Sequence, residues 1–230
     1  MFGLFDWRGK FPLEEMVSTE PQVIDRSKEN EDTWFCFLPA IAYDKSFLRN
    51  SVLPSNNASR IIFKLPFPSI VINPREIRKY FDKIYGQALS AYENMNGSVS
   101  VLGVSLGNAP AFKFANAVDC ERLLSVVPGE SIFDGIEHGS ATKHIYQSGL
   151  EKGYTSEDFK SALDEYNPGN NISNLPENIE IHLGKWDNIV PYRHGKRLVT
   201  KIRKSGKVPI VTTRKFLGHV ATIARVRNKY

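Results

Sequence analysis

The sequence predicts an α/β protein: a mostly parallel central sheet of about six strands with helices on both faces. Three observations carry that expectation. From Thr33 onward, apolar segments rich in Val, Ile, Leu and Phe alternate with amphipathic segments of helical period. The apolar segments are mostly short and continuous, as strands buried on both faces should be. The chain has 230 residues, 41% of them hydrophobic, enough for one sizeable core.

Taken in order, the strands are expected at Trp34–Leu38, Arg60–Leu65, Ser98–Val104, Leu123–Val127, Ile179–Leu183 and Pro209–Lys215. Helices are expected at Pro74–Glu93, Leu106–Val118, Ser156–Asp164 and Tyr192–Ser205. The first helix carries Ile77, Tyr80, Phe81, Ile84, Tyr85 and Leu89 at helical spacing, with Asn73 as N-cap and Pro74 at its first position. Asn96-Gly97 and Ser205-Gly206 supply turns that end helices. The whole chain, 1–230, reads as one domain with two irregular parts. Residues 1–32 are polar with scattered aromatics and offer at most one short strand around Gln22–Ile24. Their Phe2, Leu4, Phe5, Trp7 and Phe11 are expected to dock on the parent domain rather than on lipid. Residues 129–178 form an insertion between two strands, too polar for a separate core, and read as a helical segment over the functional edge.

Composition removes several function classes. No apolar run approaches the ~20 residues that cross a bilayer, and the start of the chain lacks the basic and apolar regions of a secretory signal. Cys36 and Cys120 each lie among apolar residues and read as buried thiols in a reducing compartment, so a cytoplasmic location is expected. The net charge of +5 is unevenly spread. The first 187 residues hold 18 basic and 25 acidic residues, a net of −7, whereas twelve lysines and arginines and no acid follow Asp187. That basic region reads as a solvated helix face, since Lys196, Arg197, Lys201, Arg203 and Lys204 oppose Leu198, Val199 and Ile202. Attraction of phosphates, anionic lipid or an acidic substrate is the alternative. No zinc-ligand spacing appears, and the aromatics are not interleaved with the basic cluster as a nucleic-acid platform requires.

The stretch that carries chemistry is Val99-Ser100-Val101-Leu102-Gly103-Val104-Ser105-Leu106-Gly107. A strand ends on Ser105 with a glycine two residues to either side, the G-x-S-x-G pattern of a sharp strand-to-helix turn. Side chains at those flanking positions would collide across the turn, so Gly103 and Gly107 leave the hydroxyl standing clear. A serine hydroxyl is a poor nucleophile unless a base takes its proton, an acid orients the base and amides hold the developing oxyanion. Asp187 follows the fifth strand in Gly184-Lys185-Trp186-Asp187, and His219 follows the last in Phe216-Leu217-Gly218-His219, each in a loop beyond a strand's carboxyl end. Glu130 and Asp134 are rival acids; His138, His144, His182 and His194 are the other histidines, none of which follows the final strand.

In these residues the chain resembles the α/β-hydrolase superfamily, in a minimal serine esterase- or lipase-like form. The elbow Gly103–Gly107, the segment Gly184-x-x-Asp187-x-x-Val190-Pro191 and the pair Gly218-His219 carry the likeness, which spans roughly residues 33–224. The resemblance implies a sheet order of 2-1-3-4-5-6, counted over the six strands above, with a crevice where the order reverses between strands 1 and 3. It implies Ser105 as nucleophile, His219 as general acid/base and Asp187 as orienting carboxylate. It also implies an oxyanion hole from the amide of Leu106 and one in the loop after the first strand, with Ile41 first, Ala40 second, and Pro39 lacking an N–H. Three departures stand out: Pro39-Ala40 where His-Gly or Pro-Gly is common, Asn108 where a small residue is usual, which predicts looser helix packing, and no full pair of leading antiparallel strands. The implied activity is cleavage of a carboxylic ester or thioester of a small-molecule substrate, with no metal or organic cofactor. An acyltransferase on the same scaffold, or a non-catalytic protein binding an anionic partner, are the alternatives.

Overall fold

The computed structural model describes residues 22–25, 32–39, 42, 44–54, 59–65, 73–140 and 142–226. The strands are β1 (Gln22–Asp25), β2 (Asp32–Pro39), β3 (Ser59–Leu65), β4 (Ser98–Val104), β5 (Arg122–Val126), β6 (Asn178–Gly184) and β7 (Ile210–Arg214). They form one sheet in the order β1-β3-β2-β4-β5-β6-β7. The six strands from β2 onward are parallel in the expected order, and β1 adds a short antiparallel strand at the outer edge, pairing Gln22 with Lys64 and Asp25 with Ile61. Of the leading antiparallel strands of the fuller fold, the described residues thus contain this one four-residue strand. Phe37 pairs with Gly103, Val104 with Val126, Val126 with His182 and Gly184 with Arg214, so the carboxyl ends of β2, β4, β5, β6 and β7 reach one rim.

The helices are α1 (Ser46–Val52), α2 (Pro74–Glu93), α3 (Asn108–Ala117), α4 (Ile132–His138), α5 (Lys143–Glu151), α6 (Ser156–Leu163), α7 (Tyr192–Lys204) and α8 (His219–Arg225). The Asn73 side chain accepts from the amides of Arg75 and Glu76 and starts α2 where expected. Helices α1, α4, α5 and α8 are not individually placed by the sequence reading. Each spans two turns or so, and α1 buries only Leu48 and Val52, too few points to define a period.

Side-chain alternation sorts the core into two layers. Phe35, Phe37, Ile61, Phe63, Val99, Val101, Ile179, Ile181 and Leu183 face the larger one, under α2, α3 and α7. Trp34, Cys36, Leu38, Ile62, Leu102, Val104, Leu124 and Val126 face the smaller one, which α1 and α8 close with Leu48, Val52 and Ile223. Phe35 stacks on Phe114 at 4.7 Å and Phe37 on Phe63 at 4.9 Å, each buried ring adding roughly 1.5–3 kcal/mol. The 129–178 segment contributes Phe133, Ile145, Phe159, Leu163, Tyr166 and Leu175 to the larger core. Glu165, next to Tyr166, bridges Arg78 of α2 and Lys113 of α3. Both cysteines are buried free thiols whose ionisation burial opposes. Among the described residues no helix is long and apolar enough to cross a membrane.

Candidate active site

Strand β4 stays buried to Val104, and the chain then makes one 3₁₀ turn over Ser105–Gly107 before α3 begins. Ser105 sits in the left-handed region at φ 52°, a conformation few non-glycine residues adopt. The flanking glycines are required by close approach. A β-carbon on Gly103 would stand 2.7 Å from Asn108 Oδ1 and 2.8 Å from Ala111 Cβ. One on Gly107 would fall on the carbonyl oxygen of Phe37 at the end of β2. Steric fit in the core therefore holds the turn, and the serine absorbs the strain.

Asn108 overturns the expectation of looser packing. It is 1% exposed, and its Nδ2 donates to the carbonyls of Ser105 and Val126, both at 2.9 Å, while the Ser125 hydroxyl donates to its Oδ1 at 2.6 Å. The amide ties the elbow to β5, a role legible in the sequence only as a polar residue on an apolar helix face. At the end of β5, Val127 also takes a positive φ, 48°, unusual for a β-branched residue.

Asp187 lies in the loop after β6, as expected, and is 9% exposed. Its Oδ1 accepts from the amides of Ile189 at 2.9 Å and Val190 at 2.8 Å, which fixes the carboxylate. These two amides have no side-chain signature, so sequence reasoning does not find them. His219 does not lie in a loop; it is the first residue of α8, after Gly218 at the N-cap. The loops of Asp187 and His219 are stitched together: the Lys185 amide donates to Arg214 O at 3.0 Å and the Trp186 amide to Leu217 O at 3.1 Å.

The three side chains meet. His219 Nδ1 is 2.7 Å from Asp187 Oδ2, and His219 Nε2 is 2.8 Å from Ser105 Oγ. An ionised carboxylate only accepts, so Nδ1 carries the proton and Nε2 is left to accept from the serine hydroxyl. Imidazole and carboxylate are both buried, whereas Ser105 is half-exposed. The rival groups are engaged elsewhere. Glu130 pairs with Arg197 and Lys201 at 2.9 Å each, and Asp134 pairs with Arg197. His182 Nε2 contacts Glu180 at 2.8 Å. His194 is 1% exposed; burial, with Arg197 next, lowers its pKa to about 4. Leu106 is half-buried in the 3₁₀ turn, while Ile41 and Ala40, named for the second oxyanion amide, fall outside the described residues.

Asp134, Glu137 and His138 on α4 bring potential ligand atoms within 4.8 Å of one another, but Arg197 already balances Asp134. A groove of about 400 Å³ lined by Glu130, Arg193, Lys196, Arg197, Thr200 and Lys201 shares no residue with the Ser105 cluster. It is the seam between α7 and the 129–178 segment.

Comparison with known proteins comes down to shape. No family model matches the sequence, and no curated protein matches it. Among solved structures, carboxyl esterase 2 of the fungus Tuber melanosporum matches with a TM-score of 0.57 and 14% identity, over 100% of this chain and 92% of that one. Acyl-protein thioesterase 2 of Zea mays matches with a TM-score of 0.51 and 14% identity, over 87% and 91%. The acylaminoacyl peptidase of Pyrococcus horikoshii matches with a TM-score of 0.60 and 10% identity, over 91% of this chain but 39% of that one. The chain spans about two fifths of the length of that peptidase. At these identities the likeness shows the fold: an α/β-hydrolase fold, shared with hydrolases.

Proposed function

We propose that this α/β-hydrolase-fold chain is a serine hydrolase that cleaves a carboxylic ester or thioester through an acyl-enzyme. The observation that carries the reading is the unbroken contact from Ser105 Oγ through His219 to Asp187. His219 Nε2 takes the Ser105 proton as the oxygen attacks the acyl carbon, and Asp187 stabilises the imidazolium. The tetrahedral oxyanion is held by the Leu106 amide and, in this reading, by that of Ile41. His219 then protonates the leaving alcohol or thiol as its bond to the acyl carbon breaks. Water, deprotonated by the same imidazole, releases the acid and restores Ser105. The mechanism requires no metal or organic cofactor. The fold neighbours include a carboxyl esterase and an acyl-protein thioesterase, whose chemistry fits the reading.

The test is turnover of aryl esters and acyl thioesters of graded chain length by wild type and Ser105→Ala. The expected result is release of the free acid by wild type and loss of about 10⁵-fold or more of kcat in the variant. Acyl transfer to an added alcohol or amine in preference to water would make the chain an acyltransferase. Absence of turnover by well-folded protein across the panel would favour the non-catalytic binding reading.

A further inference from the structure

Among the described residues, two of the largest exposed apolar side chains sit beside the Ser105 cluster. Trp186 is 65% exposed and Phe216 73%, and their rings meet edge to face with centroids 5.9 Å apart. Each follows an exposed lysine, so Lys185-Trp186 and Lys215-Phe216 stand in parallel on the two loops that the Arg214 and Leu217 carbonyls join. Trp186 directly precedes Asp187, and Phe216 lies three residues before His219. Neither ring is needed to hold the cluster, since the stitching between the loops is backbone to backbone. An aromatic pair left in water beside a reacting centre calls for an occupant.

We propose that this rim docks on the surface of an anionic lipid bilayer, with Trp186 and Phe216 inserted at the interface and Lys185 and Lys215 against the headgroups. Charge selects the occupant. No acidic residue follows Asp187, and the Asp187 carboxylate itself is turned to His219. A second copy of the chain, joined symmetrically through this patch, would set lysine against lysine. A protein partner would need roughly 800 Å² per side, about twice what two aromatic rings offer. For a bilayer surface, two rings and a few cations suffice, because apolar insertion and electrostatic attraction add. Docked this way, the face bearing Ser105 turns to the membrane and takes acyl substrates held there; that last clause rests on the hydrolase function proposed above.

The experiment measures partitioning of the full chain onto phosphatidylcholine vesicles with and without phosphatidylserine, together with quenching of tryptophan emission by brominated lipid. Expected are preference for the anionic vesicles and quenching that Trp186→Phe abolishes. A fall in partitioning of about tenfold or more is expected in Trp186→Ala/Phe216→Ala, and a fall of about thirtyfold or more in Lys185→Glu/Lys215→Glu. Both rings are mostly exposed, so the variants keep the fold. Lys196→Glu/Lys204→Glu, which makes the same charge change on α7, is expected to bind like wild type. Equal binding by wild type and the double-alanine variant, equal loss in the α7 variant, or dimer formation through the rim would each overturn the proposal. Fluorophosphonate labelling of Ser105 without vesicles reports the hydrolase function separately, so either idea can fail alone.

Discussion

Around Ser105 the chain is enclosed: β4 lies between β2 and β5, Gly107 presses on the Phe37 carbonyl, and Asn108 is bonded on both of its amide atoms. Around His219 the sheet is ending. Strand β7 is the last strand, with Ile210 63% exposed, and the loops on either side of the imidazole carry Trp186 and Phe216 in solvent. Ser105 is placed by sterics in a close-packed core, whereas His219 is placed by hydrogen bonds at an edge. It follows that damage at the elbow should appear first as lost stability, and damage at the rim as lost turnover.

Among variants that leave Ser105 itself in place, the largest expected effect lies on the rim. Asp187→Asn keeps an oxygen for the Ile189 and Val190 amides but presents a neutral, mis-oriented partner to His219 Nδ1. It is expected to lower kcat by about 10⁴-fold with little change in the denaturant midpoint; a matching loss of stability would contradict the contrast. Next comes the elbow. Gly107→Ala forces its β-carbon onto the Phe37 carbonyl and is expected to cost about 3 kcal/mol by urea unfolding. Unchanged stability would show that the end of β2 yields easily.

The smallest effect concerns α7, which begins just after the Asp187 loop. His194 is buried there against Arg193 and Arg197, with Asp134 and His138 facing it from α4. Its pKa falls from 6.5 to about 4 on folding. Between those values the unfolded chain binds the extra proton, so stability falls as pH drops from 6.5 toward 4. Burial lowers the His182 pKa as well, with the same sign. His194→Gln should flatten that slope by about 1 kcal/mol, measured as urea midpoints across the window; an unchanged slope would assign the acid sensitivity elsewhere.

The contrast also explains what the sequence discloses. β4 ends at Val104, and the serine and both glycines fall within a few residues of it, so a single stretch reveals the elbow, although the clash that requires Gly107 is with Phe37 of β2. The Pro74–Glu93 helix is legible to the residue because its cap and its apolar stripe lie within it. Asp187 and His219 are legible as strand-end residues, but their meeting depends on register across β5, β6 and β7, which no local pattern encodes. The start of α8 at His219 is hidden for a similar reason: Gly218 is a weak cap signal, and Thr222 and Ile223 are buried only because α8 closes the small core layer. The role of Asn108 needs Ser125 and Val126, which lie beyond α3 in the next strand. In the 129–178 segment, Phe133, Phe159 and Tyr166 are scattered among charges, so their joint burial under α2 and α3 emerges only in three dimensions.

The most direct measurement of whether Ser105 is an activated nucleophile is intact-mass and peptide analysis after exposure to a fluorophosphonate. One adduct per wild-type chain is expected, on the peptide containing Ser105, absent in Ser105→Ala and formed far more slowly in His219→Ala. A folded wild type that stays unmodified, or labelling that is equally fast without the imidazole, would mean that Ser105 is not activated by His219.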